Sequence, residues 1–465
     1  MNNTLSHVID HAIVSQLKPG TKILFATFPA DGHFNPLTGL AMHLKSIGCD
    51  VRWYTSTKYA SKLEQLGISH YPLVRALDFA EGDPEVIFPE RKKHKSQLSK
   101  LKFDIIHAFI QRGPEYFEDI KEIHQSFAFE LLIADVAFTG LPFVKEKMNI
   151  PVISVGIFPL AETSTDLAPN GLAITPSYTF WGKRRQAVMR WIADKVLFRK
   201  PYLVMKKVLA AYGIEPDGNL FDTIIRKSSL VLQSGTPGFE YFRSDLGSNI
   251  RFAGPLLPYT SKKDTASWHH EKLNQYNKII LVTQGTVEKD IDKLIVPTLE
   301  AFKNSDCLVI VTTGGAQTKA LRTRYSQENI IIEDFIPFGD VMPYADVYIT
   351  NGGYGGVLLG IENKLPMVVA GVHEGKNEIC ARVGYFKLGI NLKTENPIPA
   401  QIRKSVDEIL ENAMYKKNVT KLSKEFDQYK PNELCTKYIA QLLHQKRSFQ
   451  KEGLKAPVAG QLVEA

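Results

Sequence analysis

The stretch Ile349–Glu378, ITNGGYGGVLLGIENKLPMVVAGVHEGKNE, decides how the rest of the chain is read. An apolar run ending at Ile349 has the pattern of a buried strand. Asn351-Gly352-Gly353-Tyr354-Gly355-Gly356 follows, Val357 to Ile361 opens a helix, and Met367 to Ala370 reads as a second strand. Four glycines at a strand-to-helix turn let the backbone approach a ligand closely, and a helix start offers unpaired N–H groups and a positive dipole end. The combination points to an anion site, for a phosphate. The competing reading is a glycine-rich turn that only lets a helix pack tightly on a sheet.

A chain of 465 residues exceeds one hydrophobic core, and 44% hydrophobic with 23% charged residues is ordinary for a globular protein. Two α/β domains are therefore expected. No apolar run approaches the roughly 18 residues that span a bilayer. The opening MNNTLSHVIDHAIVSQLKPGTK lacks a basic segment followed by an apolar one, so a cytoplasmic address is expected. Cys49, Cys307, Cys380 and Cys435 lie far apart without CxxC spacing, the pattern of reduced thiols and not of a zinc site or a disulfide framework. A net charge of +8 fits nucleic acid, a membrane surface or an anionic substrate, and no nucleic-acid motif supports the first.

Outward toward the amino terminus, residues 1–20 read as a leader ended by Pro19-Gly20. Lys22 to Phe28 has the look of a buried parallel strand, and Leu37 to Ile47 repeats apolar residues at helical spacing. The loop between them, Pro29 to Pro36, puts Gly32 and His33 at the carboxyl end of a strand, where open α/β sheets place ligand crevices. A histidine there suits a general base, and a helix-capping or solvated residue equally well. After the strand Asp50 to Tyr54, residues 78–100 read as a charged loop and Lys102 to Glu122 as a helix. Glu130 to Ala134 reads as a strand whose end carries Asp135, within reach of His33 or a cap for the helix Thr139 to Met148. Pro151 to Val155 is a further strand and Gly156 to Ser177 a loop. Lys183 to Leu209 combines nine basic residues with Trp191, Phe198 and Tyr202. That is either a solvated helix face or a surface for an anionic membrane. Leu230 to Gln233 and Ile250 to Gly254 close a domain spanning 21–254, and the unpatterned 255–276 reads as a linker.

The second domain, 277–447, opens with the strand Lys278 to Val282. Its loop Thr283-Gln284-Gly285-Thr286-Val287 leads into a helix expected from Ile291 to Phe302. Strands Cys307 to Val311 and Ile330 to Ile332 feed further loops to the same edge, giving a nucleotide-sized crevice. Asp290-Ile291-Asp292 fits a metal-holding DxD, but at a helix start acidic residues favour the dipole without a metal. Helical patterns over Ile398 to Leu410 and Lys416 to Arg447 end the domain, with a tail over 448–465.

These residues together resemble the family 1 nucleotide-sugar-dependent glycosyltransferases, the macrolide and plant natural-product type, over about Thr21 to Arg447. Gly32-His33-Phe34-Asn35-Pro36 matches that family's GHxxP loop, whose histidine is the catalytic base, and Asp135 stands where an aspartate orients it. Gln284-Gly285-Thr286 resembles the loop near the donor diphosphate, and Phe335-Ile336-Pro337 the segment that stacks on the nucleobase. Asn351, Gly352, Gly353, Gly355 and Gly356 stand at the diphosphate motif, and Glu374 and Lys376 near the acidic pair that holds sugar hydroxyls. Asn351 replaces the usual histidine and Leu359 the glutamate that holds the ribose. The resemblance implies a GT-B fold, two Rossmann-like domains facing across a cleft, and inverting transfer from a nucleoside diphosphate sugar, UDP-sugar favoured. The implied acceptor is a small, largely apolar hydroxyl compound such as a phenolic, a flavonoid or a macrolide. No cofactor and no metal is expected, and weak membrane-surface contact is the additional partner. The alternatives are a lipid glycosyltransferase at the membrane surface and a sugar-nucleotide epimerase on the same fold.

Overall fold

A computed structural model of the chain describes residues 17–260, 267–285 and 288–451. Most of the leader, part of the linker, Thr286 and the tail from 452 lie outside the described residues.

Seven strands form the first sheet: β1 (Lys22–Ala26), β2 (Asp50–Tyr54), β3 (Ser69–Tyr71), β4 (Leu131–Asp135), β5 (Val152–Gly156), β6 (Leu230–Ser234) and β7 (Ile250–Gly254). Their order is β3-β2-β1-β4-β5-β6-β7, all parallel. Six more, β8 (Ile279–Thr283), β9 (Leu308–Thr312), β10 (Ile330–Glu333), β11 (Val347–Thr350), β12 (Met367–Val369) and β13 (Gly389–Asn391), form a second parallel sheet ordered β10-β9-β8-β11-β12-β13. Central strands such as LLIAD and LVIVT are buried at every position, because helices cover both faces of each sheet. Each sheet reverses its order beside its first strand, and the loops after the central strands gather at that edge.

The two lobes exchange ends. The expected second domain ran through residue 447, but the helix Pro431–Lys451 departs from it. Its Cys435, Ile439 and Leu443 are buried in the first lobe's core with Phe34, Leu37 and Trp53. Conversely Phe239, which follows β6, is buried among second-lobe residues including Tyr354 and Val419. The linker also holds to both lobes. Tyr259 N–H donates to Thr38 Oγ1 at 2.9 Å and Trp268 N–H to Asp340 at 2.8 Å. A Cβ on Gly39 would run into the carbonyl of Leu257, so only glycine lets the linker lie against that helix.

Three element boundaries differ from the pattern reading. The segment 29–36, expected as a loop, is the start of the helix Asp31–Ser46, and Pro36 lies inside it. Pro36, the sixth residue of that helix, has no N–H to give to the Gly32 carbonyl four residues earlier, so one backbone bond of the helix is forgone there. The continuous helix expected over Lys183–Leu209 is two, Phe180–Ile192 and Arg199–Ala210, joined by a π-helical turn at Ala193–Leu197. Pro201 in the second helix's first turn suits a restart. The charged loop 78–100 contains short helical turns at Pro84–Ile87 and Pro89–Lys93 and the first part of the helix Gln97–Asp104.

Candidate active site

His33 lies in the first turn of the helix that follows β1, and Asp135 ends β4, the strand paired with β1. The topology therefore brings together two residues far apart in sequence. His33 Nδ1 is 2.7 Å from Asp135 Oδ1. The same carboxylate accepts the Phe28 N–H at 2.7 Å and the Ala137 N–H at 2.9 Å, and its side chain has no solvent exposure. Three donors converging on one buried carboxylate fix its position, and its oxygen beside Nδ1 keeps the proton on that nitrogen. The imidazole, 19% exposed, is left with Nε2 as a free lone pair. Asp135 is thus not a cap of the following helix, whose amino-terminal residue is Gly140, without a side-chain cap.

Aromatic rings surround the histidine. Phe28 lies 5.0 Å from it centroid to centroid, Phe158 6.4 Å, and Phe109 stacks on Phe28 at 4.5 Å. Phe79 meets Phe28 edge-on. These rings come from four separate segments and carry no common motif, so only the folded arrangement shows that His33 lies beside an aromatic cluster.

Across from it, the glycine turn after β11 leads into the helix Tyr354–Glu362. Gly352 has φ +78°, and a Cβ there would overlap the Cys380 sulfur. The side-chain amide of Asn351 is bonded to neighbouring backbone. Its Nδ2 donates to the carbonyl of Gln284 and its Oδ1 accepts the Gly353 N–H at 3.4 Å, bracing two loops together. Among the described residues the N–H groups of Tyr354, Gly355 and Gly356 have no acceptor outside the helix. A Cβ on Gly355 would meet nothing within 4 Å. The first turn thus presents N–H groups and open space together.

Other expected donor residues sort differently. The Gln284 side chain is consumed inside its own loop. Its Oε1 accepts the N–H groups of Leu294 and Ile295 and its Nε2 donates to Asp290, which delays the helix start from the expected Ile291 to Ile295. The next residue, Gly285, is exposed. Thr286 lies outside the described residues. Phe335 is 69% exposed after β10, whereas Ile336 is buried in the core. Glu374 and Lys376 form an ion pair at 2.6 Å. Their loop is held by Glu395, which accepts the His373 N–H at 2.9 Å. Burial opposes ionisation of Glu395, but those backbone donors with His373 and Lys293 outweigh it and hold its carboxyl below the usual range. Among the described residues no three His, Cys, Asp or Glu side chains converge as metal ligands, and Asp290 and Asp292 are exposed.

The two loop edges meet. Tyr354 Oη donates to the carbonyl of Ser234, at the end of β6, at 2.7 Å. Gln233, the residue before it on β6, donates through Nε2 to the carbonyl of Phe158, just past β5, whose ring lies beside His33. Arg382, wholly buried, joins Glu240 of the first lobe at 2.9 Å to Glu378 of the second at 3.1 Å. Burial works against its charge, but Glu240, Tyr241 and Glu378 outweigh it and raise the guanidinium above its ordinary value. Glu378 in turn accepts the N–H groups of Gly171 and Ala173 at 2.8 Å each. No sequence signal announced this network, since ICARVGY reads as an ordinary helical face.

Comparison with known proteins agrees with this architecture. Residues 297–441 match the family model "Erythromycin biosynthesis protein CIII-like, C-terminal domain". The chain is 32% identical over 409 residues to 4'-demethylrebeccamycin synthase of Lentzea aerocolonigenes, covering 88% of this chain and 96% of that one. It is 29% identical over 442 residues to UDP-glucosyltransferase 1 of Beauveria bassiana, covering 90% and 94%. A solved structure of the glycotransferase of kitacinnamycin superposes with a TM-score of 0.71 at 17% identity, over 92% of this chain and 100% of that one. Two parallel α/β sheets whose loop edges meet across a cleft are the GT-B architecture of glycosyltransferases. The chain belongs to the family 1 natural-product glycosyltransferases.

Proposed function

We propose that the protein transfers a sugar from a UDP-sugar to a hydroxyl of a small, largely apolar acceptor, such as a phenolic, a flavonoid or a macrolide, with inversion at the anomeric carbon. The observation that carries this reading is the His33–Asp135 pair at 2.7 Å, beside aromatic rings on the edge that meets the glycine turn. The first lobe binds the acceptor and the second the donor. Nε2 of His33 takes the acceptor's hydroxyl proton as the oxygen attacks the anomeric carbon from the face opposite the diphosphate. The bond from that carbon to the phosphate oxygen breaks, and its electron pair leaves with the diphosphate. Asp135 holds the ring's tautomer and stabilises the imidazolium that forms.

The charge on the departing diphosphate meets the N–H groups of Tyr354, Gly355 and Gly356 and the positive end of their helix. Phe335 stacks on the uracil, and Glu374 and Lys376 face the sugar. That residue 335 is an exposed aromatic at the loop edge supports stacking on a base, and that UDP-glucosyltransferases are among the relatives supports a uridine donor. Leu359 stands where the family's ribose-binding glutamate is expected, so the ribose is left to backbone groups. The test is product analysis with UDP-glucose and a phenolic acceptor. An α-linked donor yielding a β-glycoside supports the mechanism, and a retained α-linkage overturns it.

A further inference from the structure

The helices Phe180–Ile192 and Arg199–Ala210, with the π-helical turn between them, leave one face of the first lobe uncovered. Gln186, Ala193, Met205 and Leu209 turn inward and are buried. Trp181, Val188, Trp191, Ile192, Val196 and Leu203 turn outward, the two tryptophans 78% and 60% exposed. Trp181, Val188, Trp191 and Ile192, spaced by three, four and seven residues within the first helix, share one stripe, and Val196 and Leu203 are exposed in the turn and helix that follow. Single exposed apolar residues are common, but four large ones along one helical stripe are not.

The same segment concentrates the chain's charge. Lys183 to Leu209 contains nine of the 57 basic residues and one of the 49 acidic ones, so it accounts for the whole formal net charge of +8 and the remainder balances. Lys183 is turned to Asp166 at 2.7 Å. Arg184, Arg185, Lys195, Arg199 and Lys200 are exposed, and among the described residues no carboxylate lies within ion-pair distance of them. The single acid, Asp194, is turned toward Asn219.

We propose that this face docks the protein on an anionic lipid bilayer, with Trp181 and Trp191 at the headgroup boundary and the cations on the lipid phosphates. A second copy of the chain would bring two faces of like charge together. A nucleic acid would neutralise the cations but give the aliphatic side chains between them nothing apolar to enter. A bilayer satisfies both halves of the pattern, since long basic side chains reach the phosphates while apolar ones enter the acyl boundary. The helix Arg199–Ala210 packs on the turn Ile105–Ile110, whose Phe109 stacks on Phe28 beside His33. If the proposed function holds, docking therefore sets the acceptor site beside a reservoir of membrane-dissolved apolar compounds. The docking itself does not depend on that reading.

The experiment is co-sedimentation of the full chain with phosphatidylcholine vesicles, with and without phosphatidylglycerol, across salt concentrations. Binding to the anionic vesicles that weakens as salt rises is expected. The variant Arg184→Gln/Lys195→Gln/Arg199→Gln should lose about fivefold in partitioning per charge removed. Trp181→Ala/Trp191→Ala should lose binding at low salt as well, without the fluorescence shift of a tryptophan entering lipid. Turnover of a water-soluble acceptor and the melting temperature should be unchanged in both variants, since these side chains lie on the surface. No sedimentation at low salt, undiminished binding by either variant, or preferential binding of a duplex oligonucleotide overturns the proposal.

Discussion

At the first lobe's edge the reactive group is a side chain held by another side chain. His33 is fixed by Asp135, and Asp135 by two backbone N–H groups. At the second lobe's edge two of the expected side chains are bonded within the protein instead. Asn351 braces a neighbouring loop, Gln284 is spent on Leu294 and Ile295, and helix N–H groups and the exposed Phe335 remain. On the proposed function the first edge moves a proton, for which a titratable group must be placed with precision. The second then holds charge, for which backbone dipoles suffice.

The comparison breaks most plainly at His33. Replacing it with alanine should lower kcat by roughly 10²–10⁴-fold. UDP affinity by calorimetry should stay within a factor of two or so, because no donor contact is removed. A His33→Ala enzyme that turns over normally, or that has lost UDP binding, would show that the two edges do not divide the work.

Next in size is the buried ion pair that joins the two lobes. Arg382→Met leaves Glu240 and Glu378 buried and facing each other, which costs about 3–5 kcal/mol by the usual penalty for removing one partner of a buried pair. Thermal unfolding should show this as a large loss of melting temperature. The double change Arg382→Met with Glu240→Gln should recover part of it, while an unchanged melting temperature would mean that the lobes are held by other means.

The part of this that could be read from residues alone follows the same division. Strand–loop–helix rhythm places every loop that matters at one sheet edge, and from that His33 and Asp135 could be expected to meet, as could a backbone site at Gly352–Gly356. What could not be read depends on contacts between distant segments. Arg382, Glu240 and Glu378 are each unremarkable in their own helices and loops. The helix Pro431–Lys451 has the pattern of any amphipathic helix, which does not say whose core receives Cys435 and Ile439. Gln284 stood in a plausible ligand loop, yet a buried amide beside a helix start finds unpaired backbone donors before it finds a ligand.

A smaller effect separates backbone from side chain at the donor edge. Gly352→Ala puts a Cβ on a residue with φ +78° and against the Cys380 sulfur. Strain of this kind costs about 1–3 kcal/mol. It should appear as weaker UDP binding together with a lower melting temperature, leaving the single-turnover rate at saturating donor nearly unchanged. Relief by the further change Cys380→Gly would attribute the loss to this contact.

The smallest effect sharpens the comparison most, because it concerns neighbours in sequence with opposite exposure. Phe335 is largely in solvent, so Phe335→Ala should leave the melting temperature unaltered. UDP binding should weaken by about threefold to tenfold, the worth of one aromatic stacking contact of roughly 0.5–1.5 kcal/mol. Ile336 is buried among the residues of the lobe's core. Ile336→Ala should do the reverse, costing about 2–5 kcal/mol of stability as a cavity-forming change, with little effect on UDP affinity in the molecules that remain folded. Measuring both variants by thermal melts and UDP titration gives a crossed pattern if the ring binds the base and the aliphatic chain holds the loop. A loss of UDP affinity in Ile336→Ala that matches that of Phe335→Ala would mean that loop position, and not the ring's own stacking, sets the affinity.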